Sequence, residues 1–165
     1  MDESKYIIID DTKFIFKTNF AGDPNEDKYR STKRKGNIII PDAELANELF
    51  NRGFNVKATK PKPGEEEDFE PTYYISVTVN FDSPWPPDVY LVSPGADPVP
   101  LDANSIGVID KAYVLRVRVA LNPYKNPVTG VSSMYVKTMY VEQDVGADPF
   151  AYIYANRNGE QVLPF

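Results

Sequence analysis

The sequence predicts an all-β fold, a barrel or a sandwich, with one short helix and extended loops. Segments in which apolar and polar residues alternate recur along the chain, and only one stretch shows helical spacing. Strands do not alternate with helices, which argues against a parallel sheet built from βαβ units. Fifteen prolines, with one tryptophan, eleven tyrosines and nine phenylalanines, suit strands joined by structured loops. No internal repeat or composition break divides the 165 residues, so one domain over 1–165 is expected.

Residues 6–9 and 13–17 have the character of short strands, with a turn at Asp10-Asp11. From 19 to 35 the chain is polar and basic, a loop expected to be mobile when unbound. Residues 36–40 form a further strand. Pro41 stops it, and Asp42 is placed to cap a helix over roughly 42–52. Leu45, Leu49 and Phe50 make its apolar stripe, and Gly53 takes the C-terminal glycine position. Residues 54–59 resume strand period, with Phe54, Val56 and Ala58 inward and Lys57 outward. Residues 60–70 form an exposed loop. Over 73–81, Tyr73, Ile75, Val77, Val79 and Phe81 face one way, and Tyr74, Ser76, Thr78 and Asn80 the other. Residues 83–87 are a stiff loop carrying Trp85, 89–92 a short strand, and 94–100 a turn-rich connection. Residues 101–107 are a loop or a single helical turn that Gly107 ends.

The centre of the prediction is a pair of long strands, 112–121 and 131–142, joined by a proline- and asparagine-rich loop over 122–130. In the first, Tyr113, Leu115, Val117, Val119 and Leu121 share one face, opposite Ala112, Val114, Arg116, Arg118 and Ala120. In the second, Met134, Val136, Thr138 and Tyr140 lie opposite Tyr135, Lys137 and Met139. Beyond Gln143, residues 150–154 have strand character and Asn158-Gly159 is a hairpin signal, so 144–165 are expected to form a C-terminal extension or hairpin.

Residue types exclude several functions. Without cysteine there is no disulfide framework or thiolate chemistry, and without histidine no Ser-His-Asp triad. No glycine pattern fits a phosphate-binding loop. Asp10-Asp11 and the acidic run at 65–70 are turn and loop acids, and nothing in their spacing fixes two carboxylates in a cleft for hydrolysis. No cofactor is implied. No apolar run is long enough to span a membrane, and the acidic N-terminus lacks the apolar core of a signal peptide.

The net charge is −6, yet cations cluster at 28–35 and again at 52–62. Strand alternation puts Arg116, Arg118, Tyr135 and Lys137 on one surface, with Tyr124 and Lys125 at its rim. Cations interleaved with flat rings suit a single strand of nucleic acid, since charge meets phosphate and rings meet bases. The candidate phosphate ligands are Lys33, Arg34, Lys35, Lys57, Arg116, Arg118, Lys125 and Lys137. The candidate stacking residues are Tyr74, Trp85, Tyr124 and Tyr135. Each has a plainer reading: the arginines keep a strand soluble or guard an edge, the tyrosines fill a sheet, and Trp85 packs its own loop.

Two blocks carry a family resemblance. One is Gly36-Asn-Ile-Ile-Ile-Pro-Asp42, the helix, and Gly53-Phe-Asn-Val-Lys57; the other is Ser105-Ile-Gly-Val-Ile-Asp-Lys-Ala-Tyr-Val-Leu-Arg-Val117, the Asn-Pro-Tyr loop and 130–141. Over 36–143 the chain resembles bacteriophage single-stranded-DNA-binding proteins of the OB-fold type. The resemblance implies a five-stranded OB-like barrel with DNA across its exposed strands, and a part in phage DNA replication or recombination in the host cytoplasm. The terminal Leu163, Pro164 and Phe165 are similar to the terminal tripeptide of bacterial single-stranded-DNA-binding proteins, which implies recruitment of replication or recombination proteins, although the preceding residues are not acidic. A homo-oligomer is compatible with it. The competing reading is a β-sandwich assembly protein of a virion that binds no nucleic acid.

Overall fold

The structure, a computed structural model, describes residues 6–67 and 69–144. The strands belong to one nine-stranded sheet, not to the two facing sheets a sandwich needs. In chain order they are β1 (Ile7–Thr12), β2 (Phe14–Asn19), β3 (Arg34–Ile40), β4 (Lys57–Ala58), β5 (Tyr73–Val79), β6 (Asp88–Val92), β7 (Val99–Leu101), β8 (Val114–Lys125) and β9 (Ser132–Gln143), with helix α1 (Ala43–Asn51) between β3 and β4.

The hydrogen-bonded path runs β1-β8-β9-β5-β3-β2. Its two ends are consecutive in the chain and meet at Lys13. There the Ile39 amide donates to the Lys13 carbonyl at 3.0 Å, and Thr12 Oγ1 donates to the Ile39 carbonyl at 2.6 Å. β1 and β2 thus act as one kinked strand, pairing β8 with its first half and β3 with its second. With β5 parallel to β9, this is the five-stranded OB-type arrangement, left open. β4, β6 and β7 are additions at its edges. The interior is filled by Ile38, Ile40, Ile75, Val77, Val117, Val119, Leu121, Met134, Met139 and Val141, among others.

α1 begins where Asp42 accepts a hydrogen bond from the Glu44 amide, and Gly53 follows it with φ +91. Its buried stripe is Ala46 and Leu49, with Leu45 partly buried; Phe50, expected in the stripe, is 64% exposed. The strand expected over 54–59 pairs only at Lys57–Ala58, and Ala58 is exposed, not inward. Gly107 does not end the turn near it, because a 3-10 helix runs Ile106–Lys111 and buries Ile106 and Ile109. The expected loop over 19–35 is pinned at both ends. Phe20 is fully buried and β3 starts at Arg34.

The central pair exists but is longer and less regular than alternation implies. β8 continues through the expected loop to Lys125, pairing with β9 as far as Ser132. The ladder slips between Val114 and Arg116, so Leu115 is an extra residue; Val114 packs on the core, and Tyr113 and Leu115 are exposed. A second slip makes Lys137 the extra residue on β9. It reverses the expected faces beyond it: Met139 is buried and Tyr140 lies outside. The terminal hairpin and Leu163, Pro164 and Phe165 lie outside the described residues.

Candidate nucleic-acid interface

Register assembles the outer face of the sheet. Lys35 pairs with Thr78, Thr78 with Tyr135, and Tyr135 with Asn122, so one row crosses β3, β5, β9 and β8. Strands about 4.8 Å apart make that row roughly 14 Å wide.

β9 changes partner along its length, from β5 at Tyr135 to β6 from Thr138 onward. The connection over 80–87 fills this fork and carries Trp85, and the Lys137 bulge sits where the partner changes. The fork opens into a cleft of about 560 Å³ whose lining includes Tyr6, Asn80, Trp85, Asn122, Tyr124, Tyr135 and Lys137. Trp85 is 79% exposed, so its ring is not buried in its own loop; its amide donates to Ser83 Oγ at 3.2 Å. The Tyr124 and Tyr135 rings are 6.3 Å apart at 55°. Among the described residues no carboxylate forms an ion pair with Lys137. The cleft therefore offers flat rings, amide side chains and an uncompensated cation.

The other candidates divide by what already holds them. Arg116 and Arg118 point outward on β8, and each meets a carboxylate: Arg116 Nη2 lies 3.1 Å from Glu142, and Arg118 Nε donates to Asp10 at 2.7 Å. Both pairs are solvent-accessible and weak enough for a phosphate to replace the carboxylate. Lys57 is exposed opposite Tyr74, on another part of the face, where the Phe16 ring stands edge-on to Tyr74 with centroids 5.2 Å apart. Lys33 is exposed in the loop before β3.

Three cations have structural duties. Arg34 Nη1 donates to the carbonyls of Phe20 (3.0 Å) and Ala21 (2.9 Å), with its guanidinium over the Phe81 ring. Lys35 pairs with Asp27 at 3.0 Å, and that hydrogen bond is the main reason the Asp27 carboxyl is held below its usual range. Lys125 donates to the Arg52 carbonyl at the end of α1 and lies over the Phe54 ring, tying the hairpin to the helix. Sequence reasoning missed Tyr6 and Asn122 in the cleft. Asn80 was visible as an outward strand residue, but nothing marked its role. Among the described residues, no group of three or more metal-ligating side chains comes together.

A family model described as "Putative phage ssDNA-binding domain" matches residues 2–158. Among solved structures, the chain is similar to the C-terminally truncated single-stranded DNA-binding protein from bacteriophage Enc34. That likeness has a TM-score of 0.51 at 11% identity and covers 86% of this chain and 87% of that one. The same phage protein in complex with ssDNA gives a TM-score of 0.47 at 15% identity, covering 86% and 88%. No curated protein sequence matches. The structural likeness to the truncated form supports the open OB-type strand order. The family match spans nearly the whole chain, and the chain belongs to the phage ssDNA-binding domain family.

Proposed function

We propose that the protein binds single-stranded DNA with little sequence preference, through the cleft at the β9 fork and the outer face beside it. Bases stack on Tyr135, Tyr124 and Trp85. Lys137 takes a phosphate within the cleft, and Arg116, Arg118, Lys57 and Lys33 take phosphates around it. The observation that carries this reading is the convergence of the exposed Trp85 and Tyr124 rings, the half-buried Tyr135 ring and an uncompensated lysine in one open cleft. Stacking tolerates any base because every base has a π-face, so sequence preference is expected to be low. Binding needs no chemistry. In this reading the protein serves phage DNA replication or recombination in the host cytoplasm, and Leu163, Pro164 and Phe165 recruit protein partners.

A fluorescence titration with oligo-dT at two salt concentrations tests it. Quenching of Trp85 is expected, with affinity that falls steeply with salt, each phosphate contact contributing about 0.7 to the log–log slope. Equal affinity for duplex, or a flat salt dependence, would overturn it. Deleting the last three residues is expected to leave this titration unchanged.

A further inference from the structure

We infer that Phe16 is a second base-stacking position, which with Tyr74 and Lys57 carries the DNA strand beyond the cleft. The inference rests on the single-strand-binding reading above. Phe16 has φ +63, in the left-handed region that large side chains avoid. Simple alternation would send its ring to the same side as Phe14, which packs against the core. The β2–β3 ladder slips between Ile15 and Asn19 instead, and the Phe16 ring emerges outside, 61% exposed. The core closes without it. An unfavourable backbone conformation that exposes a large apolar ring is what a binding face would demand, and packing does not.

The surroundings specify the ligand. The Phe16 and Tyr74 rings are perpendicular, at 81°, so they form a corner that a flat base can enter, stacking on one ring and meeting the other edge-on. Lys57 is exposed directly across from Tyr74, in reach of a phosphate. Tyr74 and Thr78 lie about 13 Å apart along β5, and Thr78 neighbours Tyr135. That separation equals the rise of roughly four stacked nucleotides, fewer in an extended strand.

Phe16→Gly provides the test, because glycine accepts the backbone angle while removing the ring. The variant and the wild type are titrated with oligo-dT of about 4 and about 16 nucleotides, the range of OB-domain site sizes. The expected result is an unchanged or higher melting temperature. Affinity for the long oligonucleotide falls roughly 5- to 150-fold, that for the short one, which need not occupy both the cleft and the Phe16 corner, falls less, and Phe16→Trp retains wild-type binding. Unchanged binding of the long oligonucleotide overturns the inference and leaves the cleft reading standing. Equal loss at both lengths with a lower melting temperature also overturns it, by making Phe16 a packing residue. A wild type that binds neither oligonucleotide overturns the single-strand-binding reading itself.

Discussion

Lys137 and Tyr135 are two residues apart in the chain and line the same cleft, yet they answer to different physics. Tyr135→Ala is expected to weaken single-strand binding by ~1–3 kcal/mol with the salt slope nearly unchanged, since stacking releases no counterion. Lys137→Gln should instead lower the slope by about 0.7. Titrating each variant across salt separates the two. Arg118 brings a third case, because Asp10 already neutralises it. Asp10→Asn frees the guanidinium and is expected to tighten binding at low salt, measured in the same titration. Asp27 adds a pH effect. Its carboxyl is held below the ordinary value of 3.8, chiefly by Lys35, so the stability it contributes is complete above that value and is lost as pH falls through the lowered one. Thermal melts should show wild type above Asp27→Asn at neutral pH, with the gap closing below pH 3.8. Alternation, by which neighbours on a strand point to opposite sides, put Tyr135 and Lys137 on the outer face, with Tyr124 placed at its rim in the expected loop. It could not foresee that Arg118 meets Asp10 across 108 residues, or that Arg34 is spent on the carbonyls of Phe20 and Ala21. Those contacts exist only once the strands have paired.

At the scale of elements, period and capping located α1 and the strands over 73–81, 112–121 and 131–142. The failures were local slips. A strand pattern carries no mark of an extra residue, so Leu115 and Lys137 inverted the expected faces, and Met139 exchanged places with Tyr140. β7 was missed because three residues next to a turn show no period. The 3-10 helix depends on partners distant in sequence. Asp110 in that helix accepts from Thr18 Oγ1 (2.6 Å) and from the amides of Phe20 (2.8 Å) and Ala21 (2.9 Å), locking the end of β2. Asp110→Ala strands those donors and is expected to lower stability by roughly 1–3 kcal/mol in a denaturant melt. Single-strand affinity of the folded variant should be unchanged, since Asp110 lies outside the cleft.

The whole molecule carries −6, yet Lys137 in the cleft and Lys57 beside Tyr74 have no ion pair among the described residues, so long-range repulsion and local attraction oppose each other. Added salt screens the first and competes with the second, and the steep loss of affinity expected with salt is the sign that local contacts dominate. The order of strands along the path also bears on the order in which the chain can fold. β1 finds its hydrogen-bonding partner only in β8, and β9 supplies the next strand on that path. A ribosome releases the chain from its N-terminus, so Ile7 and Ile9 wait, apolar and unpaired, until Val117, Val119 and Leu121 have been made. Apart from the Thr12 hydrogen bond to Ile39, the first strand acquires its ladder partner only after most of the described chain has been made. Acquisition of the fold is thus tied to completion of β8 and β9, and a translation product halted before them has rows of buried-type side chains with nowhere to go.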